Sequence, residues 1–316
     1  RSATLILSVF LFLLMSIPGY STIRYVKAGN PAPVPPYTTW ATASDSIQKV
    51  VDICLSGDTI LIGTGVYRET VVSEHPGRYL IIIGVDVDSC IVDLSGFDLF
   101  TTHHGFMMED NLVLENMSIK TYNFNTWHTG IWINGLSSSN IRIKIMNNKF
   151  IGGFQFSLSL WNVNGIISNN LIRRAQVGVE IRFTPEQSNM IVSDNLIIDT
   201  RLIGLSTTHG MIVKNMILRS SNDAFEFYPI GGSRSELYGN LLDGGVDGIQ
   251  SVKNKAQNNI IRNMVNAVAP YGGMQKIDFQ NNIIDSCETV IDFSQGGVVT
   301  GNISYNNFYG YDEIST

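Results

Sequence analysis

The apolar and polar positions of this chain alternate in short bursts. The clearest is IRIKIM (141–146), where Ile141, Ile143 and Ile145 alternate with Arg142 and Lys144. A period of two is strand periodicity, one face in and one face out. Most bursts run into a short phrase built on Asn and followed by apolar residues: NNKF (147–150), NNLI (169–172), DNLI (194–197), KNMI (214–217), GNLL (239–242), NNII (258–261), NNII (281–284) and NNFY (306–309). The second residue of each phrase is Asn148, Asn170, Asn195, Asn215, Asn240, Asn259, Asn282 and Asn307, at spacings of 22, 25, 20, 25, 19, 23 and 25 residues. A fixed period with slack in its loops predicts a solenoid. Asn tolerates the left-handed backbone of a sharp bend. Stacked Asn amides can also hydrogen-bond along the pile.

A second strand precedes the first phrase, at 130–133, and one follows most of the phrases, at 157–160, 179–181, 204–207, 224–227, 248–251 and 290–293. Its inward residues read Ile131, Leu158, Val179, Leu205, Phe225, Ile249 and Ile291. No amphipathic helix of ten or more residues separates the phrases, so βαβ units do not fit. An antiparallel sandwich would use the phrases as ordinary turns, but eight copies in one register argue for short strands stacked coil on coil. The expected fold is all-β, a parallel β-helix of about ten coils.

These phrases, with GDTILIGTGVYRETVV (57–72) and YLIIIGVDVDSCIVDLSG (79–96), resemble the pectin-lyase-like, right-handed parallel β-helix proteins of bacteria. The resemblance spans about residues 57–310. It implies a helix over the first coil. The segment 44–56 suits that role, with Ile47, Val50, Val51 and Cys54 at helical spacing and Asp45 and Gln48 as a capping box. The resemblance implies the fold but no single activity, because the same coil carries lyases, hydrolases, esterases and non-enzymatic proteins.

The ends set the compartment. The apolar run 5–15 is too short to span a bilayer comfortably and reads as the core of a signal peptide over 1–21, with an uncleaved anchor as the alternative. Residues 22–43 read as an extended lead-in and 57–316 as the coils, with the natural chain expected to continue past Thr316. A secreted or cell-surface protein follows, with no membrane span in the mature chain. Net charge is −6 and no basic run occurs, which argues against nucleic acid. Cys54, Cys90 and Cys287 are too dispersed for a disulfide framework and read as small buried hydrophobes.

Candidate chemistry comes from aligning the second strands. The outward residues form one column, Trp132, Ser159, Glu180, Ser206, Glu226, Gln250, Ala269 and Asp292. Two positions on, a parallel column runs Asn134, Trp161, Arg182, Thr208 and Tyr228, with His209 beside Thr208. Asp223 and Asp247 open two of the strands. Aromatic rings, carboxylates and Arg along a face suit an extended polysaccharide, with Trp132, Trp161, Asp223 and Asp247 as binding residues. Two coils put about 9.6 Å between the Glu180 and Glu226 backbones, near the spacing of an inverting glycosidase pair. Uronate elimination would instead use Arg182 on the sugar carboxylate and His209 or Tyr228 for proton transfer. Asp223, Glu226 and Asp247 form a candidate Ca²⁺ set. The rival is a non-catalytic glycan binder, adhesin or spacer, whose face would pair these side chains with one another.

Two further features need placing. His103 and His104 lie near Glu109 and Asp110, but adjacent residues cannot easily turn both rings to one ion. An apolar residue follows most phrase Asn residues: Leu171, Leu196, Met216, Leu241, Ile260 and Ile283. A bend that puts this residue and its successor both inside is the expected arrangement. Otherwise a loop such as 101–111, or a partner, must cover the stripe.

Overall fold

The structure is a computed structural model describing residues 21–98, 101–121, 127–135, 141–182, 190–207, 210–219, 223–227, 235–250, 255–270, 273–294 and 297–310; for 223–227, 235, 273–277 and 297–300 it describes the backbone alone. The signal-peptide reading therefore falls, apart from Ser21, outside the described residues, as do His209, Tyr228 and Thr208.

The alternating bursts form one long sheet of twelve parallel strands, from Ile23–Val26 to Gly297–Ser304, stacked in chain order. A short ladder follows the Asn phrases, with rungs such as Lys149–Ile151, Leu171–Arg173 and Leu196–Ile198. A wide ladder follows that, with rungs His104–Met108, Thr129–Asn134, Phe156–Trp161, Val177–Arg182, Ile203–Thr207 and Asp223–Phe227. In two later coils, Leu241–Gln250 and Ile260–Ala269, one strand runs through both ladders. Parallel pairing of coil on coil makes this a parallel β-helix. Its first rung, Ile23–Val26, pairs with Thr59–Ile62, so the stack begins inside the stretch expected as a lead-in. Segment 101–111 supplies strands to two faces and is not a covering loop.

The core is three inward columns. In the wide ladder the buried column runs Ile131, Leu158, Val179, Leu205 and Ile249, with the Phe225 backbone at the register position between the last two. In the short ladder Phe150, Ile172, Ile197 and Ile217 are all buried. The residues before them point out: Met216, Ile260 and Ile283 are 42%, 39% and 38% exposed. The expectation that both would be inside fails because the short ladder is true strand, and a strand alternates its faces. One column at the start of the wide rungs holds only small residues: Gly105, Gly130, Ser157, Gly178, Gly204, Ala224, Gly248 and Ala267. A Cβ on Gly178 would lie 2.3 Å from the Gly204 carbonyl oxygen and 2.9 Å from Ile197. The chain needs that closeness to turn the corner between ladders.

The Asn phrases make the sharpest corner. The residue ahead of each ladder Asn takes the left-handed conformation: Asn147, Asn169, Asp194, Lys214, Gly239, Asn258, Asn281 and Tyr305, with φ from 53° to 63°. The ladder Asn itself turns inward, and the seven from Asn148 to Asn282 are buried. Asn195 shows the pattern. Its Nδ2 donates to the Ile167 and Ser193 carbonyls at 3.0 Å each and to Asn215 Oδ1 at 2.9 Å, while its Oδ1 accepts from Asn170 N and Nδ2. The chain of amides runs Asn148, Asn170, Asn195, Asn215, Asn240, Asn259, Asn282 and then Asn306. The last member is Asn306 and not Asn307, because Tyr305 occupies the left-handed position and moves the corner one residue earlier.

The first coil is closed by helix α1, Ile47–Val51, shorter than the 44–56 expected. Its N-cap is Ser46, whose side chain accepts from Lys49 N; Asp45 is instead ion-paired with Lys49. Glu69, from the next coil, accepts from Ser46 Oγ, Ile47 N and Gln48 N. That leaves Gln48 free to reach Val72, so the expected capping box is not formed. Arg78 binds the Val51 and Cys54 carbonyls and the buried Asp110 carboxylate, tying helix to coils. The three cysteines are free and buried, as expected.

Removing one amide should cost more than removing one bend residue. Asn195→Ala strands buried donors and acceptors on two rungs and should cost about 1–3 kcal/mol in urea unfolding. Lys214→Gly relieves a left-handed backbone at the cost of unfolded-chain entropy, and should fall within about 1 kcal/mol of the parent.

Candidate functional site

The candidate site is the outer face of the wide ladder. Strand alternation puts Trp132 and Asn134 outward on one rung, Ser159 and Trp161 on the next, and Glu180 and Arg182 on the third. Ser206 holds the next register position of the first column, and the Glu226 backbone the one after it. The register thus aligns Trp132, Ser159, Glu180 and Ser206, and beside them Asn134, Trp161 and Arg182, with rungs about 4.8 Å apart.

Glu180 is 4% exposed although its strand points it outward. Arg182 Nη2 donates to its Oε1 at 2.6 Å, and Ser159 Oγ donates to Oε2 at 3.2 Å. A carboxylate so held orients the guanidinium two residues along its own strand. It is poorly placed to lend a proton or activate water. The Arg182 side chain keeps a third of its surface exposed. Ser206 Oγ, buried on the next rung, has no hydrogen-bond partner among the described residues.

His104 extends the aromatic row. Its ring stacks on Trp132 with centroids 5.4 Å apart and 21° between planes. The adjacent His103 turns elsewhere, to Thr101 and edge-on to His128. His128 is buried, donating from Nε2 to the Asp98 carbonyl and facing the Thr121 hydroxyl with Nδ1. The two adjacent rings thus face different neighbours. Asp110 is committed to Arg78.

Asp223 and Asp247 are register partners on adjacent rungs. Asp247 is mostly buried and accepts from Asn266 Nδ2 at 2.8 Å. Glu226 lies three residues along its strand from Asp223, about 10 Å away by backbone. Among the described residues no group of three or more His, Cys, Asp or Glu side chains is placed to hold a metal. The structure therefore brings together Trp132, Trp161, Glu180 and Arg182. It sets Asp223 and Asp247 apart from them at the strand starts. Sequence reasoning missed His104 as a neighbour of this cluster, and the bond of Ser159 to Glu180. Ser159 was legible as the column member beside Glu180.

No family model matches the sequence, and no curated protein matches it. Solved structures share its fold. The A-module of Azotobacter vinelandii mannuronan C-5 epimerase AlgE6 superposes with a TM-score of 0.55 at 13% identity, covering 84% of each chain. The AlgE4 A-module from the same organism gives 0.53 at 10% identity, covering 91% of this chain and 95% of that one. At such identities the likeness shows the fold alone, the parallel β-helix that the repeats implied.

Burial, then the neighbouring His103 and His128, push His104 down to about 4. An unfolded chain protonates histidine near pH 6.5. Between those values the unfolded state holds a proton that the folded state lacks. The contribution of His104 to stability is therefore complete above about pH 6.5 and is lost as pH falls toward 4. His104→Phe keeps a ring on Trp132 and should flatten the fall of the urea midpoint across this window. An unchanged slope would show that His104 titrates normally.

Proposed function

We propose that this protein is directed to carbohydrate and that the wide-ladder face grips a sugar chain laid across its rungs. The observation that carries the reading is the placement of Trp132, Trp161 and Arg182 on three consecutive rungs, with Glu180 and Ser159 beneath the guanidinium. Indole faces take sugar C–H surfaces, and a fixed guanidinium takes a carboxylate. Arg182 is then the reader of an acidic group on the sugar, and Glu180 is its positioning partner. The same-fold proteins named as mannuronan epimerases add support for a sugar polymer as ligand. The apolar run at 5–15 adds an export signal to the reading, so the protein would meet its polymer outside the cell.

A second reading adds chemistry at the same place. Neutralising a uronate carboxylate acidifies the proton beside it, and Arg182 is positioned for that step. Elimination would have Arg182 neutralise that carboxylate or take the proton beside it, and His209 or Tyr228 transfer a proton to the leaving oxygen. Hydrolysis through a Glu180–Glu226 pair is disfavoured, because Glu180 already serves Arg182.

Binding to polyuronates and to neutral glucans, with appearance of unsaturated uronate followed by ultraviolet absorbance and of reducing ends by colour assay, tests both readings. A polyuronate should bind more tightly than the glucan. Arg182→Ala would strand the buried Glu180, so the paired change Glu180→Gln with Arg182→Gln is the cleaner variant. It should weaken polyuronate binding by about 1.5–3 kcal/mol, about ten- to a hundredfold in Kd. Equal binding by parent and variant would sink the reading. Absorbance growth in the parent, lost in the variant, would establish elimination.

A further inference from the structure

A recess of about 710 Å³ lies on a different face, the outside of the long sheet. That is the size of a small-ligand site. Tyr79, 39% exposed, stands on one side of it. Val113 and Ile166, register neighbours of Lys144, form an apolar floor. Arg142 and Lys144 project from the strand Ile141–Met146, two residues apart and so on the same side, and both are exposed. Gly165 contributes bare backbone.

Among the described residues the two cations carry no ion pair, as is also true of Lys27, Lys120, Arg174, Arg201 and Lys214; what sets them apart is that both stand at this recess. Arg24, Arg78, Arg182 and Arg262 each hold a carboxylate, in a chain that carries 27 acidic and 21 basic residues. The Arg142 backbone is itself fixed, its N–H donating to Asn111 Oδ1 at 2.8 Å. Paired positive charge at the edge of an apolar, aromatic-walled recess is complementary to an anion that also carries an apolar face.

We propose that this recess is a second binding site, for an acidic oligosaccharide of a few units. Arg142 and Lys144 take its anionic groups, and Tyr79 stacks on a sugar ring. The negative charge follows from the recess alone; that the ligand is a saccharide rests on the reading of the wide-ladder face. Two sites on different faces would hold one polymer at two points, and the second contact would then be intramolecular.

The test is a nuclear magnetic resonance titration of the full chain with three probes: a hexauronate, a neutral hexaglucoside and inorganic sulfate. The Ile166 methyls report the recess, and the Trp161 indole N–H reports the wide-ladder face. Hexauronate should shift Ile166. The double change Arg142→Ala with Lys144→Ala, and separately Lys144→Glu, should weaken that response about tenfold or more while leaving Trp161 responsive. Both side chains are exposed, so an unchanged melting temperature is expected and verifies the fold. An unmoved Ile166, or one moved equally by the hexaglucoside or by sulfate alone, overturns the proposal. If Trp161 responds and Ile166 does not, the recess fails and the face reading stands. If Ile166 alone responds, the recess stands and the face reading falls.

Discussion

Everything in this molecule depends on the buried amide chain at one corner. A buried amide left unmatched costs more than a matched one contributes, so each interior ladder Asn is matched by the Asn of the neighbouring coils at the same height, and the first, Asn148, toward the preceding coil by the Met117 N–H and the Leu114 carbonyl. That requirement locks the register of one coil to the next. Strand alternation then carries the register around the coil to the other faces. Residues some twenty positions apart become neighbours at the strand spacing, and a slip of one residue would turn every inward side chain outward. The small residues along the Gly130–Gly178–Gly248 column are the second half of this constraint, since they let the chain turn tightly enough for the amides to meet.

The wide-ladder face inherits its order from that register. Trp132, Trp161 and Arg182 are not gathered by a loop; they are delivered by consecutive rungs of rigid sheet. The electrostatics are local. A carboxylate would not remain as buried as Glu180 without compensation, and the guanidinium at 2.6 Å together with the Ser159 hydroxyl supplies it. This pairing weighs against Glu180 as an acid or base and for Arg182 as an oriented binding group.

Much of the architecture was legible because it repeats. The period-two bursts and the Asn phrases indicate the strands, and aligning the phrases reproduces the wide-ladder register from Ile131 to Ile249. What was not legible depended on competition among local partners. Asn306 and Asn307 are equivalent in sequence until the left-handed backbone of Tyr305 decides between them. Asp45 looks like a helix cap, but Lys49 claims it, and Glu69 from another coil completes the cap at Ser46. The exposed stripe through Met216, Ile260 and Ile283 was assigned inward because apolar residues usually are; alternation overrides that preference in a strand three residues long. At the site, the column positions were readable, but the pairing of Glu180 with Arg182 was not. Two outward residues on one strand can face solvent, a ligand or each other, and side-chain conformation alone decides which.

The central claim, that the wide-ladder face grips an acidic sugar chain, is tested most directly by an experimental structure with a uronate oligosaccharide bound. The account predicts sugar rings against Trp132 and Trp161, and a sugar carboxylate within hydrogen-bond distance of the Arg182 guanidinium, which stays braced by Glu180. An ordered protein at saturating oligosaccharide, with this face bare and the sugar elsewhere, would contradict it.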